Sequence, residues 1–351
     1  MKNPHNIYIH VPFCMSKCKY CAFFSNAVLN PDWQKYFLGV CNELKFWSEK
    51  LEHCSVPTIF FGGGTPSLMP VNVFEQIMDC IYKNFDVDTD CEITLESNPG
   101  TLTSDKLKDF VSNGINRLSV GVQSLQDTEL DFLGRKHTVQ QSLGLLNMAQ
   151  NMNLNVSADF IYGLPNHNVK SVIDLCKNIN ALGLPHVSMY ELTIEKNTPF
   201  GKMNLSMPDN DTMAGMYMAI SENLLLPRYE ISNYATKEYQ CRHNMNIWSG
   251  GAYIGIGRGA AGRIYIDNVW YEQKGAGEIF ENMDNKTRCT EKIITGMRTI
   301  RGVMLDDDVL GLVNMDWIKL HSDLVVQSDK YLRATDKGML ILDDIMLDII
   351  K

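Results

Sequence analysis

From Ile7 to Leu192, short apolar runs alternate with longer stretches in which apolar residues return every third or fourth position. The runs read as strands: one beginning at Ile7, then Val56–Phe61, Glu92–Glu96, Arg117–Gln123, Asn155–Leu164 and His186–Leu192. Between them lies helical spacing. Trp33, Phe37, Val40, Leu44 and Trp47 mark a helix over Pro31–Leu51, and further helices are expected over 71–84, 103–113, 126–134, 138–152 and 168–182. Strands alternating with helices at this interval call for a parallel sheet. Six β–α units predict an α/β fold with a curved, partial (β/α)6 barrel rather than a closed eightfold one. In such folds ligands gather at the carboxyl ends of the strands.

After residue 200 the rhythm changes. A helix is expected over Asp209–Leu226 and extended chain over Tyr229–Ala235, while the glycine-rich Ile247–Ile266 reads as a loop. From Thr290, helices at 290–300, 306–313 and 315–320, a hairpin Leu324–Thr335 and a helix Lys337–Ile350 suggest a small, mainly helical, winged-helix-like module. The expected division is a barrel over 1–200, a barrel-associated extension over 201–285 and the carboxy-terminal module over 286–351. A net charge of −9 argues against a nucleic-acid surface. With no apolar run of spanning length and no signal-type start, the chain reads as cytoplasmic. Seven scattered cysteines (41, 54, 80, 91, 176, 241 and 289) then read as buried or free thiols. The triplet Asp306–Asp308 reads as a solvated helix start.

The concentrated chemistry lies after the first strand. Cys14, Cys18 and Cys21 form a C-x3-C-x2-C loop, and three thiolates can hold three irons of a [4Fe–4S] cluster, leaving the fourth open to a small ligand. A structural zinc site is the other reading, although it ordinarily takes four ligands. Other polar or glycine positions fall where strands end. They are Gly63, Gly64 and Thr65 in GGGTP, Glu96 in ESNPG, Gln123 in GVQS, Arg135 in GRKH and Asp159 in ADFIYGLP. Glycines there admit close backbone approach to a ligand, or simply make a tight turn. The polar groups either meet a ligand or satisfy one another, since unpaired they would be costly.

The cysteine loop, with Tyr20 before the last cysteine, resembles the signature of the radical SAM superfamily. In that superfamily the open iron binds S-adenosylmethionine, and the reduced cluster cleaves its sulfonium to a 5'-deoxyadenosyl radical. The passages YIHVPFC, FFGGGTPS, ESNPGT, INRLSVGVQS, LGRKHT, DFIYGLP and YEISNYA resemble the coproporphyrinogen-dehydrogenase-like branch and cover most of residues 7–262. The resemblance implies cluster ligation by Cys14, Cys18 and Cys21. It also implies S-adenosylmethionine contacts from Tyr8, Tyr20, Gly63, Gly64, Thr65, Glu96, Gln123, Arg135 and Asp159.

Two kinds of member divide this branch. The dehydrogenase carries a further cysteine two residues past the third, where this chain has Phe23, and a long amino-terminal extension, where only 13 residues precede Cys14. The haem-chaperone members match better, and related haem-binding proteins carry H-N-x-x-Y-W. Here the stretch reads HNMNIW, with Ile247 in place of tyrosine. The resemblance makes His243 a candidate haem ligand beside a structural-turn histidine, with Cys241 as a thiolate alternative. Haem, a haem-acceptor protein and an electron donor for the cluster are the implied partners. A homodimer is left open, and porphyrinogen oxidation is the competing function.

Overall fold

The computed structural model describes residues 3–52, 54–274 and 280–351. Eleven strands make one sheet: β1 (Asn6–Val11), β2 (Ser55–Gly63), β3 (Asp86–Ser97), β4 (Arg117–Gln123), β5 (Asn155–Tyr162), β6 (His186–Glu191), β7 (Asn233–Ala235), β8 (Tyr253–Ile256), β9 (Gly262–Ile266), β10 (Val269–Gln273) and β11 (Phe280–Asn282). Their order is β11-β10-β9-β8-β1-β2-β3-β4-β5-β6-β7. The six expected strands, β1 to β6, pair in parallel in chain order, which is the partial barrel. β8 adds a seventh parallel strand beside β1, and β7 closes the other edge antiparallel.

Helices α1 (Trp33–Lys50), α2 (Val71–Asn84), α3 (Ser104–Ser112), α4 (Asp127–Leu133), α5 (Val139–Asn151) and α6 (Val169–Ala181) are the crossovers. Their starts are written locally. Asp32 accepts the Lys35 N–H at 2.9 Å, and Thr138 with Gln141 and Asn168 with Ser171 form reciprocal caps. Alternation along the strands then sorts the two faces. Ile7, Ile9, Val11, Ile59, Phe61, Leu95, Val120 and Phe160 form the core shared with the helices. The intervening Tyr8, His10, Thr58, Glu96, Ser119 and Asp159 are polar and lie on the opposite, concave face.

The stretch read as a glycine-rich loop is different. It holds the end of α8 (Arg242–Trp248) and the strands β8 and β9, so residues 201–285, whose 275–279 lie outside the described residues, extend the same sheet. The glycines are there because strands pass closely: a Cβ on Gly255 would stand 2.3 Å from the Ala261 carbonyl oxygen, and one on Gly262 2.8 Å from that of Tyr253. α7 (Asn210–Asn223) falls where a helix is expected.

Beyond α9 (Asn285–Met297), the carboxy-terminal part has the three-stranded sheet and short helices of a winged-helix-like module. Its strands are β12 (Val303–Met304), β13 (Val325–Gln327) and β14 (Tyr331–Ala334), in the order β12-β14-β13. α10 (Asp307–Leu312) is capped by Asp306, which accepts the Val309 N–H at 2.9 Å, and α11 (Met315–Leu320) follows. The expected last helix is two, α12 (Asp336–Met339) and α13 (Leu342–Ile349).

Candidate functional site: a cysteine-lined cleft at the strand ends

The cysteine loop is held in place by backbone. Gly64 N–H donates to the Val11 carbonyl and Thr65 N–H to that of Phe13, both at 2.8 Å, tying the end of β2 under the loop. Lys19 N–H donates to the Leu133 carbonyl at 3.1 Å, where α4 stops at Gly134 in a left-handed turn (φ 77°). The loop's far side is anchored by His10, whose Nε2 lies 2.7 Å from the Phe24 carbonyl oxygen. Phe13–Cys14 pairs in parallel with Asn26–Ala27 and completes the frame.

These fixings leave a cleft of about 720 Å³ at the carboxyl ends of the strands. Cys14, Cys18, Tyr20 and Cys21 form one wall, and Gly63, Gly64, Glu96, Gln123, Arg135 and Asp159 the other. Ten of the thirteen residues singled out in the sequence thus share one cavity. Thr65 lines the adjoining cleft, where its hydroxyl accepts from Asn98 Nδ2 at 2.8 Å. Tyr8 lies beneath, its hydroxyl 3.0 Å from His10 Nδ1 and its ring stacked on Phe60.

The glycines at 63 and 64 are fixed by packing as well as by the cleft. A Cβ on Gly64 would stand 2.6 Å from the Phe13 carbonyl oxygen, and one on Gly63, whose φ is 109°, 2.5 Å from the His10 ring. Asn98, Gly121 and Ser119 were not singled out in the sequence. Asn98 accepts a hydrogen bond from Arg135 while donating to Thr65, and it stands two residues after Glu96 in the quoted ESNPG, which is the signal that was there to find. Gly121 accepts from Arg135 Nη2 at 2.8 Å, and a Cβ there would stand 2.8 Å from Gln123 Nε2. Gln123 takes a left-handed φ of 71°, at a register shift between β4 and β5, which turns its amide into the cleft.

Charge in the cleft is unbalanced. Burial, and then the neighbouring Asp159 charge, pushes the Glu96 carboxyl up to about 7 against the pull of the Gly63 N–H, 3.1 Å away, and of Arg117. Burial also raises Asp159, opposed by the Ser188 and Ser119 hydroxyls. Two desolvated carboxyls at one cavity wall suit a cationic ligand, as an ammonium or a sulfonium would be. On the cysteine wall Arg135 Nη1 lies 3.4 Å from Cys18 Sγ, and Arg135 Nε is buried without a partner among the described residues. Among the described residues no three His, Cys, Asp or Glu side chains are placed to share one metal ion. Thiolates bound to separate irons of a cluster need not converge on one point. The donor set and the acidic wall therefore fit a three-cysteine cluster with a cationic small molecule beside it.

His243 lies elsewhere. It is in the first turn of α8, 2% exposed, under the barrel near the amino-terminal half of β2. Its Nδ1 shares a 2.8 Å hydrogen bond with Thr58 Oγ1, and its Nε2 is enclosed without a partner among the described residues. Burial, with Arg117 adding, lowers its pKa to about 3, so the ring is neutral. The Cys241 thiol donates toward Glu92 at 3.7 Å, and burial pushes it up to about 12. As a haem ligand either group would have to be reachable by a macrocycle, and here both are walled in by β2, β3 and α8. The HNMNIW stretch builds a plug whose backbone N–H groups at Arg242 and His243 donate to Glu92, each at 3.1 Å. The remaining cysteines are buried, and among the described residues none forms a disulfide.

The family model for the radical SAM superfamily matches residues 8–179. Haem chaperone HemW of Haemophilus influenzae is 36% identical over 74% of this chain and 70% of its own length. Haem chaperone HemW of Escherichia coli K12 is likewise 36% identical over 74% of this chain and 70% of its own length. The fold is similar to that of coproporphyrinogen III oxidase HemN from Escherichia coli, with a TM-score of 0.81 at 19% identity over 99% of this chain and 90% of that one. Among the described residues no helix is long and apolar enough to cross a membrane. The chain belongs to the HemW family of the radical SAM superfamily.

Proposed function

We propose that this protein is a cytoplasmic haem chaperone that carries a [4Fe–4S] cluster and S-adenosylmethionine and passes haem to an acceptor protein. The observation that carries it is the cysteine-lined cleft in a chain 36% identical to HemW chaperones over 74% of its length. Cys14, Cys18 and Cys21 would hold three irons. When bound, the cluster and S-adenosylmethionine supply one-electron reductive chemistry, fed by an electron donor. The chain's own residues do the positioning. Glu96 and Asp159 meet the cationic end of the ligand, while Gly63, Gly64 and Thr65 bring backbone to it. Gln123 and Tyr20 close the sides, and Arg135 braces Cys18 against Asn98 and Gly121. Tyr8 supports the floor from below.

Phe23 favours the chaperone over porphyrinogen oxidation. It stands two residues past Cys21, where the dehydrogenase pattern has a cysteine, and it lines the cleft mouth with 69% of its surface exposed. The test is an anaerobic haem titration of the cluster-loaded protein, run beside incubation with coproporphyrinogen III, S-adenosylmethionine and reductant. Near-stoichiometric haem binding without protoporphyrinogen IX is expected. Absence of haem binding refutes the reading, and decarboxylated product makes the protein an oxidase.

A further inference from the structure

Cys41 on α1 and Cys80 on α2 face each other where the first two crossover helices pack, away from the cleft. The Cys80 sulfur stands 3.8 Å from the Cys41 carbonyl oxygen and within hydrogen-bonding reach of the Cys41 thiol. The pair lies at the rim of the core, with 6% and 8% of the two residues exposed, whereas Cys176 on α6 is fully enclosed. Cys80 also has the surroundings of a reactive thiol. Asn84, one turn later on α2, directs its Nδ2 to the Cys80 sulfur at 3.7 Å. Lys45 on α1 and Lys83 on α2 are exposed cations that act on it. The hydrogen bond from Cys41 draws the Cys80 thiol down to about 7 against burial, helped by Lys45, the Asn84 amide and Lys83. The same hydrogen bond, and then burial, pushes Cys41 up. Burial raises the Cys91 and Cys176 thiols to about 12 instead. One thiol of the pair is thus readily ionised while its neighbour keeps its proton, the division between an attacking and a resolving cysteine.

We propose that Cys80 and Cys41 form a modification site, a dithiol that peroxide oxidises to a disulfide stapling α1 to α2. The Cys80 thiolate attacks one oxygen of hydrogen peroxide, the O–O bond breaks, hydroxide leaves, and Cys80 becomes a sulfenic acid. The Cys41 sulfur then gives up its proton and attacks the Cys80 sulfur, and the sulfenic hydroxyl leaves with a proton as water. Two thiols lose two electrons in all, and the peroxide is reduced to two waters. A thiol reductant restores the pair. The bond needs the sulfurs to close to about 2.05 Å, across a helix contact where the Cys80 sulfur already meets the Cys41 backbone. The staple would sit behind the cysteine loop. Trp33 and Tyr36 of α1 pack edge-on against Phe13 at 5.0 and 5.7 Å, and the Tyr36 hydroxyl donates to the His10 carbonyl at 3.0 Å. α2 follows the glycine turn on the cleft's other wall, so the link ties together two helices that frame the loop. The pair serves in this way whether or not the protein carries haem.

The experiment treats the full-length, cluster-loaded protein with near-stoichiometric hydrogen peroxide under argon. Remaining thiols are blocked with iodoacetamide, and the tryptic peptides are mapped by mass, which reads the cluster cysteines separately. A reductant-reversible link, two hydrogens lighter, is expected between the peptide of residues 36–45 and that of residues 51–83. It should persist in Cys54→Ala, because Cys54 shares the second peptide, and vanish in Cys80→Ala. Dimedone, which traps sulfenic acids, should label Cys80 in Cys41→Ala and leave Cys41 unlabelled in Cys80→Ala. Full alkylation of Cys41 and Cys80 in the unaltered protein, at peroxide doses that oxidise the cysteine loop, overturns the proposal. So does a link made through Cys54, or dimedone labelling of Cys41 in place of Cys80. The mapping of the unaltered protein needs no variant, so the test holds even where a substitution weakens the fold.

Discussion

Glu96 offers a sharp test of the cleft's electrostatics. Burial and the Asp159 charge lift its pKa from 4.5 to about 7, so the folded protein without ligand holds that proton more tightly than the unfolded chain. By linkage, an acid raised on folding costs stability once it ionises. The cost is absent well below pH 4.5, grows as the pH climbs toward 7, and is constant above. Its full size is at most about 3.5 kcal/mol, the shift multiplied by roughly 1.4 kcal/mol per unit. Glu96→Gln keeps an oxygen to accept the Gly63 N–H and removes the charge. The variant should therefore be more stable than the parent by about 1–3 kcal/mol near pH 8 and by less than about 1 kcal/mol near pH 5. Urea unfolding of the cofactor-free chain at both pH values, followed by tryptophan fluorescence, measures the difference. A gap of equal size at both pH values, or a variant less stable near pH 8, would refute the reasoning. Affinity for S-adenosylmethionine should move the opposite way and fall in the variant, because the carboxylate that strains the ligand-free cleft is the one that meets the ligand's cation.

Other consequences follow from particular contacts. Gly64→Ala sets a Cβ 2.6 Å from the Phe13 carbonyl and should cost about 1–3 kcal/mol and lower iron content on reconstitution, whereas Gly144→Ala, with open space around its Cβ, should leave iron content unchanged. Thr58→Val leaves His243 Nδ1 unpaired inside the barrel and should cost about 1–3 kcal/mol in a denaturant melt without changing cluster loading. Arg135→Met removes the guanidinium that joins Cys18 to Asn98 and Gly121, and should speed cluster loss in air at an unchanged fold by circular dichroism.

The parallel half of the fold was legible because its strands state both faces in sequence. In β1, Ile7, Ile9 and Val11 turn to the helices while Tyr8 and His10 turn away, and β2 to β5 repeat the alternation. The same alternation placed the candidate polar residues at strand ends, and Glu96, Gln123, Arg135 and Asp159 do line one cleft with the three cysteines. β8 and β9 were hidden because Gly255 and Gly262, which read as loop residues, are demanded by backbone passing within 2.8 Å of where a Cβ would be. His243 shows a different limit. A motif gives residue order, but whether an imidazole faces a ligand or a barrel interior is decided by Thr58 and Glu92, far away along the chain. α8 is seven residues long, too short to announce itself by periodicity. Gly338, inside α12, is demanded by the Leu324 carbonyl of the hairpin, another contact that the sequence does not announce.

The most direct test of the central claim, that three cysteines hold a cluster whose open iron takes S-adenosylmethionine in this cleft, is electron paramagnetic resonance of the reduced, reconstituted protein with and without S-adenosylmethionine. A [4Fe–4S] signal that shifts on adding S-adenosylmethionine, and that disappears in Cys14→Ala, Cys18→Ala and Cys21→Ala, is the expected result. A signal indifferent to S-adenosylmethionine, or one that survives loss of any of the three cysteines, would contradict the account.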